Sequence, residues 1–190
     1  MDFLKAIEIS SVILNLLYVL LLLRENIWCW ICGIVGSAMG AILMFHSKLY
    51  SETILYLFYV VVGVYGWFVW QTKGVEREFN ISVWGINPHV IAIAVGVTGS
   101  VLFGYFFSQN TDADYPWVDA HTTVFAFVAS YMQAHKVLSS WLFWIIINGV
   151  TVWLYGIKGL DFYSIQMVIY FGLSIWGYIE WRRRLGIRNT

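Results

Sequence analysis

Charged side chains are scarce in this sequence. They make up 12% of its 190 residues, whereas 60% of the residues are hydrophobic and 19% are aromatic. A soluble globular domain is typically about 25% charged, so this chain has too little polar surface to be one. The formal net charge is zero, which leaves no excess of positive charge for binding nucleic acid. The composition therefore predicts an integral membrane protein and excludes a soluble enzyme, a disordered chain and a nucleic-acid binder.

Cysteine is scarce as well. The two cysteines, Cys29 and Cys32, are three residues apart, which excludes a disulfide framework. Without a second ligand pair, this spacing predicts no metal site. A membrane-embedded enzyme using Asp119 and His121 is the rival class, but no HExxH, GxSxG or paired-carboxylate motif accompanies these residues. We expect no enzymatic activity and no cofactor.

Long apolar runs predict seven transmembrane helices in a single membrane domain over residues 1–190. The runs cover approximately residues 4–23, 27–46, 53–70, 89–107, 118–134, 138–155 and 162–181. We expect the polar stretch from Gln71 to Pro88 to be the longest loop. The acidic loop that carries Asp112 and Asp114 could concentrate a cationic solute at the membrane surface, or could simply be tolerated there.

The basic residues predict an orientation in the bacterial inner membrane. With seven spans, one face carries three lysines and the opposite face carries the other eight lysines and arginines. Cytoplasmic loops are enriched in Lys and Arg. We therefore expect the N-terminus outside and the C-terminus in the cytoplasm, where Arg182–Arg184 would contact lipid headgroups.

The sequence also contains an internal similarity. The third and seventh spans end alike, in Tyr65–Trp70 and Trp176–Trp181, and Trp28 aligns with Trp141 in a slightly shifted register. Chance similarity between tryptophan-rich helices is the alternative to a repeat. A repeat would give a 3+1+3 arrangement of parallel three-helix bundles, an architecture typical of transporters. The two bundles would cover residues 4–71 and 118–181, with a linker helix at residues 88–107.

Polar side chains deep inside the spans are candidates for solute binding. Asn148 is the clearest, because it lies near the middle of the sixth span and its amide offers donors and an acceptor without a charge. Trp144 and Trp141 precede it by four and seven residues, so all three share a helical face. The alternative for Asn148 is an interhelical hydrogen bond worth about 0.6–2 kcal/mol.

The other candidates are polar or aromatic residues at similar depth. An aromatic face can hold a flat or cationic ring, although for these tyrosines packing is an equal alternative. The set comprises Ser130, Gln166, Tyr56, Tyr59, Tyr131 and Tyr170.

Several motifs in order resemble the PnuC family of bacterial vitamin transporters. They include Asn26–Gly36 and Tyr65–Trp70 in the first half, and Lys136–Asn148 and Gly177–Trp181 in the second. The resemblance implies a 3+1+3 fold similar to that of the full-length SWEET sugar exporters. It also implies uniport of an unphosphorylated vitamin by alternating access, trapping by a cytoplasmic kinase without stable contact, and a homotrimer.

Within that family, the sequence resembles the thiamine branch, PnuT. Tyr56 stands where the nicotinamide riboside branch usually has glutamine, and Gly33–Gly36 covers a stretch where that branch often has asparagine. An aromatic side chain suits the cationic thiazolium ring of thiamine. Nicotinamide riboside is the alternative substrate, and riboflavin is the third.

This resemblance implies roles for the candidate residues. Asn148 and Gln166 would hydrogen-bond the polar groups of the vitamin. The aromatic candidates would form a box around the vitamin (Trp144, Tyr131, Tyr56 and Tyr59), with gates or supporting contacts beside it (Trp141 and Tyr170).

Overall fold

The computed structural model describes residues 2–46, 50–76, 80–110, 115–157 and 161–188, and these residues form seven α-helices. The helices are α1 (Asp2–Leu23), α2 (Trp28–His46), α3 (Tyr50–Glu76), α4 (Ile86–Asn110), α5 (Pro116–Ala134), α6 (Ser140–Ile157) and α7 (Asp161–Arg188). The predicted all-α architecture is confirmed.

Five of the described helices, α1, α2, α3, α4 and α6, are long and apolar enough to cross a membrane. α5 and α7 occupy the positions of the fifth and seventh predicted spans, but they carry more polar residues. Many large apolar side chains are exposed along the helices, as expected for surfaces that contact lipid.

The predicted bounds of the loop, from Gln71 to Pro88, are wrong at both ends. α3 continues to Glu76, and α4 already begins at Ile86. Hydropathy marks where an apolar run ends, but a helix can continue into water because its hydrogen bonds are internal. Thr72 illustrates this, since its hydroxyl donates to the carbonyl of Phe68 one turn earlier.

The chain divides into two compact units, Met1–Phe79 and Asn80–Thr190. In the first unit α1 packs on α2 and α2 packs on α3. In the second unit α4 packs on α5, α5 on α6 and α6 on α7. A parallel bridge between Ser82 and Val137 ties the segment before α4 to the α5–α6 connection.

The α1–α2 and α5–α6 connections have the same backbone geometry. Glu25 and Lys136 both lie in the left-handed region, with φ of 55° and 52°. The interval between them along the chain equals the interval between Tyr65 and Trp176, as expected if the two connections are equivalent parts of a repeat. The next residue then donates its N–H to the carbonyl five residues earlier, as in a Schellman motif. These bonds are Asn26 N to Leu21 O at 3.0 Å and Val137 N to Met132 O at 2.9 Å.

A tryptophan packs on a glycine in the first unit. Trp30 of α2 lies against Gly66 of α3, where an added Cβ would come 2.5 Å from the Cη2 atom of Trp30. The ring of Trp70 meets Trp30 edge-on at a centroid distance of 5.6 Å. We call this group, Trp30, Gly66 and Trp70, the first tryptophan clamp.

The second unit contains the same arrangement. Trp141 of α6 lies against Gly177 of α7, and Trp181 meets it edge-on at 5.4 Å. These three residues form the second tryptophan clamp, and each follows its counterpart in the first clamp at the same interval along the chain. Trp30, and not Trp28, therefore makes the contacts that Trp141 makes, and the predicted alignment of Trp28 with Trp141 is wrong.

Candidate functional site

Asn148 of α6 is hydrogen-bonded to α7. The residue is 7% exposed, and its Nδ2 donates to Ser174 Oγ at 3.0 Å. Ser174 Oγ in turn donates to the carbonyl of Tyr170 at 2.8 Å. Because a serine hydroxyl has one hydrogen, Ser174 must accept from Asn148, and this fixes which way the amide faces. The second N–H and Oδ1 of Asn148 have no hydrogen-bond partner within the described residues.

α7 presents a row of polar side chains at intervals of four residues. Gln166, Tyr170 and Ser174 share one face of the helix because side chains four apart are neighbours. The side chain of Gln166 lies close enough to Tyr170 to interact with its phenol. The structure thus brings three sequence-predicted candidates together with Ser174, in a set that we call the polar ladder: Asn148, Ser174, Tyr170 and Gln166.

Ser174 is the member of the polar ladder that is not among the candidates predicted from the sequence. A small hydroxyl residue in an apolar helix is common, so it gives little signal alone. Its spacing of four from Tyr170 and eight from Gln166 is the signal that could have identified it.

Trp144 lies one turn before Asn148 on α6. It packs, with Phe125 and Phe143, against a buried cluster formed by Ala126, Ala129 and Ile147. Its Nε1 is buried and has no hydrogen-bond partner among the described residues. Trp144 therefore lies at the junction between the apolar α5–α6 contact and the helix face that carries Asn148.

Trp141 and the two α5 candidates have different surroundings. Trp141 is 1% exposed, and its place in the second tryptophan clamp accounts for that burial. Ser130 is buried, whereas Tyr131 is 49% exposed with its ring 4.6 Å from that of His135. Consecutive helical residues point about 100° apart, so Ser130 and Tyr131 do not share a face.

Tyr56 and Tyr59 belong to the first unit, whereas the other candidates belong to the second. The half-buried ring of Tyr56 packs on Gly40 of α2, where an added Cβ would lie 2.5 Å from Cε1 of the ring. Tyr59 is half-buried and meets Phe58 edge-on at 6.1 Å. Packing with neighbours in the same unit therefore accounts for the position of Tyr56.

The residues of the rival enzyme hypothesis have local roles. His121 is exposed, and its Nδ1 lies 2.6 Å from the carbonyl of Trp117 one turn earlier. Asp119 lies in the first turn of α5, whose N-cap is Tyr115 and whose first residue is Pro116, where the missing N–H costs nothing. Among the described residues, no three His, Cys, Asp or Glu side chains are placed to hold a metal ion. Asp112 and Asp114 lie outside the described residues.

Comparison with known proteins relates the whole chain to membrane transporters. The family model described as "Nicotinamide mononucleotide transporter" matches residues 5–183. The riboflavin/roseoflavin transporter RibM of Streptomyces davaonensis is 30% identical over 179 residues, which cover 89% of this chain and 81% of RibM. The nicotinamide riboside transporter PnuC of Escherichia coli is 23% identical over 202 residues, which cover 92% of this chain and 84% of that protein.

The fold is also similar to that of a solved structure. The crystal structure of the vitamin B3 transporter PnuC superposes with a TM-score of 0.74 at 21% sequence identity, covering 92% of this chain and 79% of that one. At this identity the similarity concerns the fold alone. Together with the match over residues 5–183 and the 30% identity to RibM, it leads to one assignment. The chain belongs to the nicotinamide mononucleotide transporter family, the PnuC family of multi-pass inner-membrane vitamin transporters, and is a transporter rather than an enzyme.

Proposed function

We propose that this protein takes up nicotinamide riboside by facilitated diffusion. The observation that carries the proposal is the polar ladder, a buried amide in an apolar helix of a vitamin transporter family. The E. coli relative is named as a nicotinamide riboside transporter. The relatives favour this substrate over thiamine, which the sequence alone predicts.

The chemistry of Asn148 suits a carboxamide. Its second N–H and its Oδ1 are a donor and an acceptor, and a carboxamide offers the complementary acceptor and donor. Ser174 holds the amide in place, so little side-chain entropy is lost when the solute binds. The indole of Trp144, one turn away, would attract the positively charged pyridinium ring by cation–π interaction.

Riboflavin is the second candidate. The observation that favours it is the 30% identity to RibM, which is named as a riboflavin and roseoflavin transporter. The imide edge of a flavin also carries a carbonyl and an N–H next to each other, so Asn148 could pair with it equally well.

The thiamine prediction depends on Tyr56. The ring of Tyr56 packs on Gly40, and this packing explains the presence of an aromatic side chain at that position without a bound vitamin.

We extend the proposal to the transport cycle. The protein works as a uniporter by alternating access, and a cytoplasmic kinase traps the vitamin without stable contact. The 3+1+3 arrangement is part of this proposal, supported by connections and tryptophan clamps that match between the two units at one constant interval along the chain. The homotrimer, the external N-terminus and the cytoplasmic C-terminus remain parts of the same proposal.

Uptake into proteoliposomes tests the proposal. We expect labelled nicotinamide riboside to enter down its gradient, and Asn148→Ala to lower its apparent affinity about tenfold, equivalent to about 1.4 kcal/mol. Thr151→Ala is the matched control, because among the residues that the structure describes the Thr151 hydroxyl bonds only to Ile147 O of its own helix, at 2.8 Å. Uptake of riboflavin alone would favour the second candidate. Equal uptake by Asn148→Ala and Thr151→Ala would contradict the role of the amide.

A further inference from the structure

The tryptophan clamps lie at a particular end of two helical hairpins. In the α2–α3 hairpin the chain connects the helices through residues 47–49, and in the α6–α7 hairpin through residues 158–160. Trp30 is the third residue of α2, and Trp141 is the second residue of α6. Each clamp therefore closes the end of its hairpin opposite the connection.

The clamp contacts depend on the absence of a side chain at the glycines. A Cβ on Gly66 would lie 2.5 Å from the Trp30 ring, and a Cβ on Gly177 would lie 2.5 Å from the Trp141 ring. Real Cβ atoms do not approach a ring carbon so closely, so any side chain there must displace the indole. Trp30 and Trp141 are each 1% exposed, and Tyr18 of α1 also contacts the Trp30 ring, at a centroid distance of 5.8 Å.

The four clamped helices also lack proline. The two prolines of the chain are Pro88 and Pro116, both in the first turns of other helices. Proline is one of the main causes of sharp helix kinks. The hairpins thus have no proline hinge along their length, and both of their ends are held.

We propose that Trp30 with Gly66 and Trp141 with Gly177 are positioning residues that make each hairpin move as one rigid body during transport. This rests on the proposed transport function. In the second unit the clamp lies seven residues from Asn148, about 10 Å along α6. It holds the open end of α6 and α7 together, so that the two helices move as one body.

Gly177→Ala tests the proposal, with Gly172→Ala as the matched control. Both glycines lie in α7, but a Cβ at Gly172 would meet no atom within 4 Å. We expect Gly177→Ala to slow nicotinamide riboside uptake about tenfold while the dissociation constant changes little, because the clamp acts on movement and touches no solute. Gly172→Ala should match the wild type. Equal uptake by the two variants, or an equal fall in binding and uptake for Gly177→Ala, would overturn the proposal.

A second measurement needs no solute and so separates this proposal from the choice of vitamin. Hydrogen exchange should be faster around Trp181 in Gly177→Ala than in Gly172→Ala, because α6 and α7 separate more often at the open end of the hairpin. No difference in exchange would overturn the proposal even if another vitamin proved to be the substrate. If Gly177→Ala does not fold, Trp141→Phe replaces it: a smaller ring should give an intermediate rise in exchange, and no rise would refute the clamp.

Discussion

The hydroxyl of Ser174 determines how the amide of Asn148 is presented. Ser174 donates to Tyr170 O and accepts from Asn148 Nδ2, so removing it leaves the amide free to rotate. The position of Asn148 could be predicted from sequence, because an amide in the middle of an apolar run is conspicuous. Its partner could not, because the rotation of α7 that turns Ser174 toward α6 is set by packing.

Ser174→Ala should weaken vitamin binding. We expect a loss of affinity of roughly three- to tenfold, since the amide must then be ordered on binding. Ser100→Ala is the control: Ser100 is also buried, but within the described residues its hydroxyl bonds only to Gly96 O in its own helix, at 2.6 Å. Calorimetric titration of both variants measures the effect, and unchanged affinity for Ser174→Ala would show that Asn148 needs no such support.

The seven helices could be predicted because each produces an apolar run, but their ends could not. Apolar runs stop where the membrane stops, whereas α3 continues to Glu76. The tryptophans show the same limit on prediction. Trp141 shares a helix face with Asn148 in the sequence, yet it is enclosed by Gly177 and Trp181. Spacing along one helix predicts which side chains share a face, but it does not predict which residues of the adjacent helix bury each of them.

The α1–α2 connection gives a prediction about stability. Glu25 has φ of 55°, a conformation that costs about 1 kcal/mol for a residue with a Cβ and almost nothing for glycine. Glu25→Gly should therefore be more stable than Glu25→Ala by about 1 kcal/mol. Both variants lose the contacts of the glutamate side chain, so those contacts do not affect the difference in stability between them.

Thermal unfolding of the two variants in detergent measures this difference. Lys136→Gly and Lys136→Ala repeat the test in the α5–α6 connection, where φ is 52°. We expect the glycine variant to have the higher Tm at both positions. An alanine variant as stable as the glycine variant would contradict the strain assigned to that connection.

The basic residues predict the orientation of the whole molecule in the membrane. Arg183 and Arg184 pair with Glu180 at 2.9 and 2.8 Å, but the orientation depends on Lys and Arg rather than on net charge. A fluorescent protein fused after Thr190 should therefore fold and fluoresce in the cytoplasm. A periplasmic reporter that is active at the same position would reverse the predicted orientation.

Direct binding of vitamins to the purified protein tests both the proposed substrate and the proposed role of Asn148. Nicotinamide riboside, riboflavin and thiamine are titrated in turn and followed by calorimetry, with Asn148→Ala beside the wild type. We predict binding of nicotinamide riboside that Asn148→Ala weakens about tenfold. Binding of thiamine with no response to nicotinamide riboside would contradict this account of the substrate. Binding of nicotinamide riboside that Asn148→Ala leaves unchanged would contradict the assignment of the site.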